Sequence, residues 1–141
     1  MDEKDTQQAI DAFKLRLNNN PDDLEAALNL GNLFFDNRDA AQSIVYYNVA
    51  LRINPDMPGA MTDLGTMYWQ NGDVSLAERC FRSVVKSNPG YGNAYINLGL
   101  LLSRAKMEPV KGKACWQELV DKYPDHPACK RAKELLADTL N

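Results

Sequence analysis

Histidine is almost missing from this chain and cysteine is scarce: His126 stands alone, beside Cys80, Cys115 and Cys129. The histidine falls between two prolines in "PDHP" and reads as a solvated turn residue. No Cys or His pair has the close spacing of a metal site. Three cysteines without motif spacing make a poor disulfide framework, so we read them as small core-facing residues on helices, in a reducing compartment. A glycine-rich phosphate loop is also lacking. The acids of "NNNPDD" suit a helix start better than a catalytic pair, and "KGKACW" reads as a charged helix face. We therefore expect no enzyme, no metal and no cofactor.

Long apolar runs are absent too. No stretch of the 141 residues has the roughly 20 apolar residues that cross a bilayer. The polar start "MDEKDTQQ" carries no basic-then-apolar leader, so the expected setting is cytoplasmic, or periplasmic if an anchor precedes it. With 45% hydrophobic and 25% charged residues the composition suits a folded domain. Charge is unevenly spread. Residues 1–75 carry 5 basic and 12 acidic side chains, net −7; residues 76–141 carry 11 and 7, net +4. A general nucleic-acid surface needs a basic stripe, which this distribution does not offer.

What the chain does have is a repeat. "NLGNLFFDN" at 29–37, "DLGTMYWQN" at 63–71 and "NLGLLLSRA" at 97–105 stand 34 residues apart. Small residues follow the first two glycines at +12 (Ser43, Ala77), aromatics at +16 (Tyr47, Phe81) and prolines at +24 (Pro55, Pro89). The third unit has one extra residue: Gly99, then Gly112, Trp116 and Pro124. Ala9, Phe13 and Pro21 mark a half unit in the same register. Self-similarity of this length is the mark of a solenoid.

Each unit reads as two antiparallel helices. Ala27, Leu30 and Phe34, then Met61, Leu64 and Tyr68, then Tyr95, Leu98 and Leu102 give the first helices an i, i+3, i+7 apolar stripe. Second helices are expected over about 39–53, 73–86 and 109–122, with Pro109 in a first turn. Each stops before a proline, whose predecessor is pushed out of the α region. Mid-helix glycine costs about 1 kcal/mol relative to alanine, so close packing against the small residue of the second helix must exceed that loss. The last segment carries Cys129, Ala132, Leu135, Leu136 and Leu140 on one side, as a terminal cap requires.

This pattern resembles the tetratricopeptide repeat (TPR), whose signature joins Leu-Gly, an aromatic, a small residue, an aromatic and a proline. The resemblance covers about residues 5–141, with Ser43 and Gly112 replacing the usual alanine and Leu102 the usual aromatic. It implies an all-α, right-handed solenoid of about eight helices in one domain: a half repeat (1–21), repeats at 24–57, 58–91 and 92–126, and a capping helix (127–141). Residues 114–136 also resemble the closing repeat of bacterial TPR proteins that assist c-type cytochrome maturation.

In TPR solenoids one side of each first helix lines a concave groove for partner segments. Here that side carries Leu28, Asn29, Asn32 and Phe35, with Glu25 and Asp36; then Thr62, Asp63, Thr66 and Trp69; then Ile96, Asn97, Leu100, Ser103 and Arg104. Leu28, Phe35, Trp69, Ile96 and Leu100 are apolar side chains on a surface open to solvent, as interaction sites often are. Asn29, Asp63 and Asn97 form a ladder, and similar ladders in some TPR domains hold a peptide backbone. The carboxylate clamp that holds chaperone tails is excluded: its basic positions hold Leu28, Asn93 and Asn97, and only Asn32 fits. The charge split further predicts that a bound segment places basic residues by Asp63 and acidic ones by Arg104, with Arg131 of the cap near it. The expected function is a protein-interaction module, a scaffold or assembly factor, with groove-mediated self-association as the alternative. No nucleic acid and no small-molecule substrate are expected.

Overall fold

The computed structural model describes residues 2–138. They form α1 (Glu3–Asn19), α2 (Leu24–Asp36), α3 (Ala40–Ile53), α4 (Pro58–Gln70), α5 (Val74–Ser87), α6 (Gly92–Leu100), α7 (Pro109–Lys122) and α8 (Cys129–Asp138), with a π-helical turn (Leu101–Ala105) continuing α6. No strand occurs among the described residues. The chain divides into two compact units, one ending at Asp73 and one starting at Val74.

The boundaries follow from local chemistry. Asp2, Asp23 and Asp39 accept hydrogen bonds from the backbone N–H of Asp5, Ala26 and Gln42, capping α1, α2 and α3. Pro58 and Pro109 open α4 and α7, where a missing N–H costs nothing. Asn20 and Asn54, each before a proline, are extended at φ −135° and −136° and stop α1 and α3.

In the first unit α1 packs on α2, α2 on α3 and α3 on α4. Its core includes Ile10, Leu30 and Phe34, with Phe13, Leu17, Leu33 and Tyr46 against them. Phe34 stacks on Tyr46 at 5.7 Å between ring centres. In the second unit α5 packs on α6, α6 on α7 and α7 on α8. Tyr95, Ile96, Trp116, Leu119, Cys129, Ala132 and Leu135 form its core. The capping stripe of α8 is thus seated, except for Leu140, which lies outside the described residues. All three cysteines are free; Cys80 and Cys129 are buried and Cys115 is half-buried.

The repeated glycine has a more specific partner than the small residue alone. A Cβ at Gly31 would stand 2.6 Å from Cδ1 of Tyr47, and one at Gly99 would fall on the indole of Trp116. The glycine makes room for the aromatic ring of the second helix. The small residue meets the same glycine at its carbonyl: Ser43 Oγ donates to Gly31 O at 2.9 Å. In the third repeat a Cβ at Gly112 would lie 2.5 Å from Gly99 O, the close backbone approach the spacing predicts.

The extra residue of the third repeat is taken up by the π turn. Lys106 N–H reaches back five residues to Leu101 O at 3.1 Å, and Glu108 N–H reaches Leu102 O at 2.7 Å. In the regular repeats Asp39 and Asp73 make the corresponding bonds to Phe34 and Tyr68. One wide turn therefore absorbs the insertion without displacing Leu101 and Leu102, which are both buried. His126 also departs from expectation. It is half-buried, its Nδ1 accepts the N–H of Ala128 at 2.9 Å, and its ring lies where a side chain at Gly92 would stand. It closes the turn into α8 rather than standing in solvent.

Candidate functional site

Helical periodicity puts Leu28, Asn32 and Phe35 on one side of α2, and Asp63, Thr66 and Trp69 on one side of α4. Leu28, Asn29, Phe35, Asp63, Thr66 and Trp69 are half-buried, whereas Asn32 and Asp36 are exposed. Phe35 meets the ring of Tyr47 edge-on at 6.4 Å. Thr62 does not belong to this surface: it is 4% exposed, and its hydroxyl donates to Pro58 O.

Tyr47 of α3 organises the centre of this face. Its ring fills the space left by Gly31, and its hydroxyl lies 2.6 Å from Asn32 Oδ1. The same hydroxyl is a hydrogen-bond partner of the Asp63 carboxylate. A phenol has one proton to give. When Asp63 is ionised the carboxylate is the stronger acceptor, and rotation of the Asn32 amide offers an N–H to the phenol oxygen in exchange. Burial is the main cause that raises the Asp63 pKa above the usual carboxylate range; the Tyr47 hydrogen bond opposes it and the like charge of Asp36 adds to it. Burial, then Asp63 and Asp36, push the Tyr47 phenol upward, so it stays neutral.

The ladder residues have distinct settings. Asn29 Nδ2 donates to Glu25 O on its own helix at 2.7 Å, which commits one of its two amide N–H groups. Thr66 Oγ donates to Thr62 O at 3.3 Å. In the second unit Asn97 is half-buried on α6, and Leu100 is half-buried against the core. Ile96 is core, not groove: it is 8% exposed and packs with Trp116 and Leu135. Arg104 is exposed within the π turn, and Arg131 pairs with Glu134 on its own helix at 3.6 Å.

Sequence reasoning missed two features. Tyr47, the aromatic at +16, is fully buried, and its hydroxyl also reaches Asn32 of α2 at 2.6 Å; the tyrosine at a position where Phe13 and Phe81 stand in other units is the available signal. In the second unit Glu78 takes Arg82 and Lys106 at 2.7 Å each, and Glu108 takes Lys106 and Lys111. This network ties α5 to the turn between α6 and α7. Lys106, Glu108 and Lys111 belong to the stretch where the inserted residue breaks the repeat, so periodicity could not place them.

Clefts also occur away from this face. One of about 630 Å³ is lined by Asp11, Lys14, Leu15 and Tyr46, another of about 280 Å³ by Arg82, Lys111, Cys115 and Glu118. Among the described residues no group of His, Cys, Asp or Glu is set to hold a metal, and no helix is long and apolar enough to cross a membrane.

Comparison with solved structures finds this fold in MamA. One crystal structure matches at TM-score 0.80 and 21% identity over 98% of this chain and 84% of that one. The first TPR domain of Spaghetti (RPAP3), bound to the HSP90 peptide SRMEEVD, matches at TM-score 0.69 and 18% identity over 83% and 92%. The Arabidopsis OM64 TPR domain matches at 0.69 and 14% over 82% and 95%. A search of curated proteins finds no match. The family model described as tetratricopeptide repeat matches residues 1–58 and 62–106. With most of the chain matched and helix pairs built around Gly31–Tyr47 and Gly99–Trp116, this protein belongs to the tetratricopeptide repeat family.

Proposed function

We propose that the chain binds a short segment of a partner protein along the exposed side of its first helices, as a scaffold or assembly factor. One observation carries the reading: Phe35 and Trp69 occupy equivalent positions on α2 and α4 and both stay half exposed, beside polar Asn32, Asp63 and Thr66. Aromatic side chains amid hydrogen-bonding groups are what binding surfaces use. The TPR domain bound to an HSP90 peptide supports the mode of binding but not that ligand. An acidic tail would meet Asp63 here, and Leu28, Asn93 and Asn97 stand where its clamp needs cations. Within the first unit Asn29 is proposed as a backbone holder, of reduced weight because its amide is engaged with Glu25.

Two tryptophans make the test direct. Trp116 is 1% exposed and serves as an internal constant, while Trp69 reports on the face. Peptides selected by the whole chain from a random displayed library should shift Trp69 emission. Trp69→Ala should weaken them about tenfold, equivalent to about 1.4 kcal/mol. Val45→Ala, at an exposed site on α3, should leave them unchanged. Binding indifferent to Trp69 and sensitive to Val45 would move the site off this face.

A further inference from the structure

Five carboxylates among the described residues are half-buried: Asp23, Asp63, Glu78, Glu108 and Glu118. Four have a cation. Arg16 pairs with Asp23 at 3.1 Å, Arg82 and Lys106 with Glu78, Lys111 with Glu108, and Lys122 with Glu118 at 2.9 Å. Asp63 has none among the described residues. A neutral phenol, that of Tyr47, is the hydrogen-bonding group that favours its ionised form, and Asp36 adds a like charge. Partial burial of a carboxylate is costly when no opposite charge compensates it. The pairing rule obeyed elsewhere in the molecule is broken at the centre of the face assigned to a partner.

We infer that Asp63 is the seat for a lysine or arginine side chain of the partner segment, with an apolar partner residue on Trp69. The inference rests on the groove reading and adds the chemistry of its occupant. Where the Tyr47 hydroxyl turns to the carboxylate it uses one lone pair and leaves the others for an incoming N–H. Asp36 makes the surroundings more favourable to a cation, and Phe35 packs edge-on against the Tyr47 ring. Spacing follows from helix geometry. Trp69 lies six residues beyond Asp63 on α4, about 9 Å at 1.5 Å per residue. An extended segment covers that in about three residues. The recognised pattern is therefore a basic residue and an apolar one two or three positions apart.

The displayed library supplies the test, with the full chain as bait. Selected peptides should be enriched in Lys or Arg at that spacing. Asp63→Asn should weaken them at least tenfold and erase the enrichment on reselection, whereas Asp56→Asn, in an exposed turn, should change neither. Added salt should narrow the difference between wild type and Asp63→Asn. Circular dichroism of the near-isosteric Asp63→Asn variant verifies that it is folded. Selected peptides without basic enrichment, or with full affinity for Asp63→Asn while Trp69→Ala still harms them, overturn this inference and leave the groove reading standing. A library yielding no binder, or binders indifferent to both positions, removes both. Sedimentation of the chain alone should give a monomer; a dimer lost in Asp63→Asn would assign the seat to a second copy and overturn the commitment to a different protein.

Discussion

The helix pair α2–α3 of the first unit and the pair α6–α7 of the second solve one packing problem with different residues. Both set an aromatic ring over a glycine: Tyr47 over Gly31, Trp116 over Gly99. Both anchor the ring by a polar edge, Tyr47 through Asn32 and Asp63, and Trp116 by donating Nε1–H to Ile96 O at 3.2 Å. They differ in where that edge points. Both rings are buried, but the Tyr47 hydroxyl meets the side chain of Asn32 on the proposed binding face, while the Trp116 N–H meets a main-chain carbonyl. They differ again in the helix end: α2 finishes regularly, and α6 widens into a π turn. Equivalent positions in a repeat thus anchor the ring to side chains or to the main chain according to one polar atom on the ring.

The sharpest way to break the likeness is to fill the glycines. Gly99→Ala puts a methyl on the Trp116 indole, and the ring cannot retreat without losing Ile96 O. Overpacking costs about 1–3 kcal/mol or more, while alanine returns about 1 in helix propensity. A net loss of about 2 kcal/mol is expected from urea unfolding. Gly31→Ala should cost less, since its nearest approach to Tyr47 is 2.6 Å at the edge of the ring. Equal or absent losses would show that the rings do not depend on the glycines.

A second pair of variants should act with opposite signs. Ser43 Oγ is buried and donates to Gly31 O at 2.9 Å. Ser103 Oγ, in the π turn, is buried with no hydrogen-bond partner. Ser43→Ala should therefore lower stability by about 1 kcal/mol, and Ser103→Ala should raise it by a similar amount. Denaturant midpoints measured on both variants decide this. Two losses of equal size would mean that the Ser103 hydroxyl finds a partner in solution.

Why one hydroxyl could be placed from the sequence and the other could not bears on what repeats reveal. Ser43 sits at +12 from Gly31, a position that the family pattern assigns to the contact between helices. Ser103, which spacing sets on the groove side in register with Phe35 and Trp69, lies within the π turn, and its hydroxyl is buried toward Gly112 instead. The sequence shows one extra residue between Gly99 and Gly112 but not which turn absorbs it, because a wide turn keeps every apolar position upstream intact. Helix limits were legible from Pro, Asp and periodicity: 109–122 is α7, and 39–53 is α3 to within a residue. Ile96 was misplaced because helical spacing puts it on the groove side, whereas packing of α6 on α8 covers it. The lone carboxylate is legible only in part. Asp63 stood out as the odd rung of a ladder, but its lack of a cation is a three-dimensional fact.

The smallest effect compares that carboxylate with its counterpart in the second unit. Burial raises the pKa of Asp63, so the folded state holds this proton more tightly than the unfolded chain does. Its ionisation then opposes folding: the penalty is absent below the unfolded carboxylate pKa and complete above the folded one. Hydrogen bonding from Lys106, and then from Arg82, lowers the pKa of Glu78. Its stabilising effect is complete above the unfolded carboxylate pKa and is lost as pH falls through the lower folded value. Asp63→Asn should accordingly stabilise the chain at neutral pH and lose that advantage in acid. Glu78→Gln should destabilise it at neutral pH, by no more than about 1 kcal/mol per ion pair, and match the parent in acid. Urea midpoints of the three proteins, taken at intervals from neutral pH down through the carboxylate range, should converge from opposite sides. Divergence of the Asp63→Asn curve toward low pH would reverse the assigned shift. With the basic peptide bound the Asp63→Asn advantage at neutral pH should disappear, because a cation on the wild-type carboxylate supplies what folding alone leaves out.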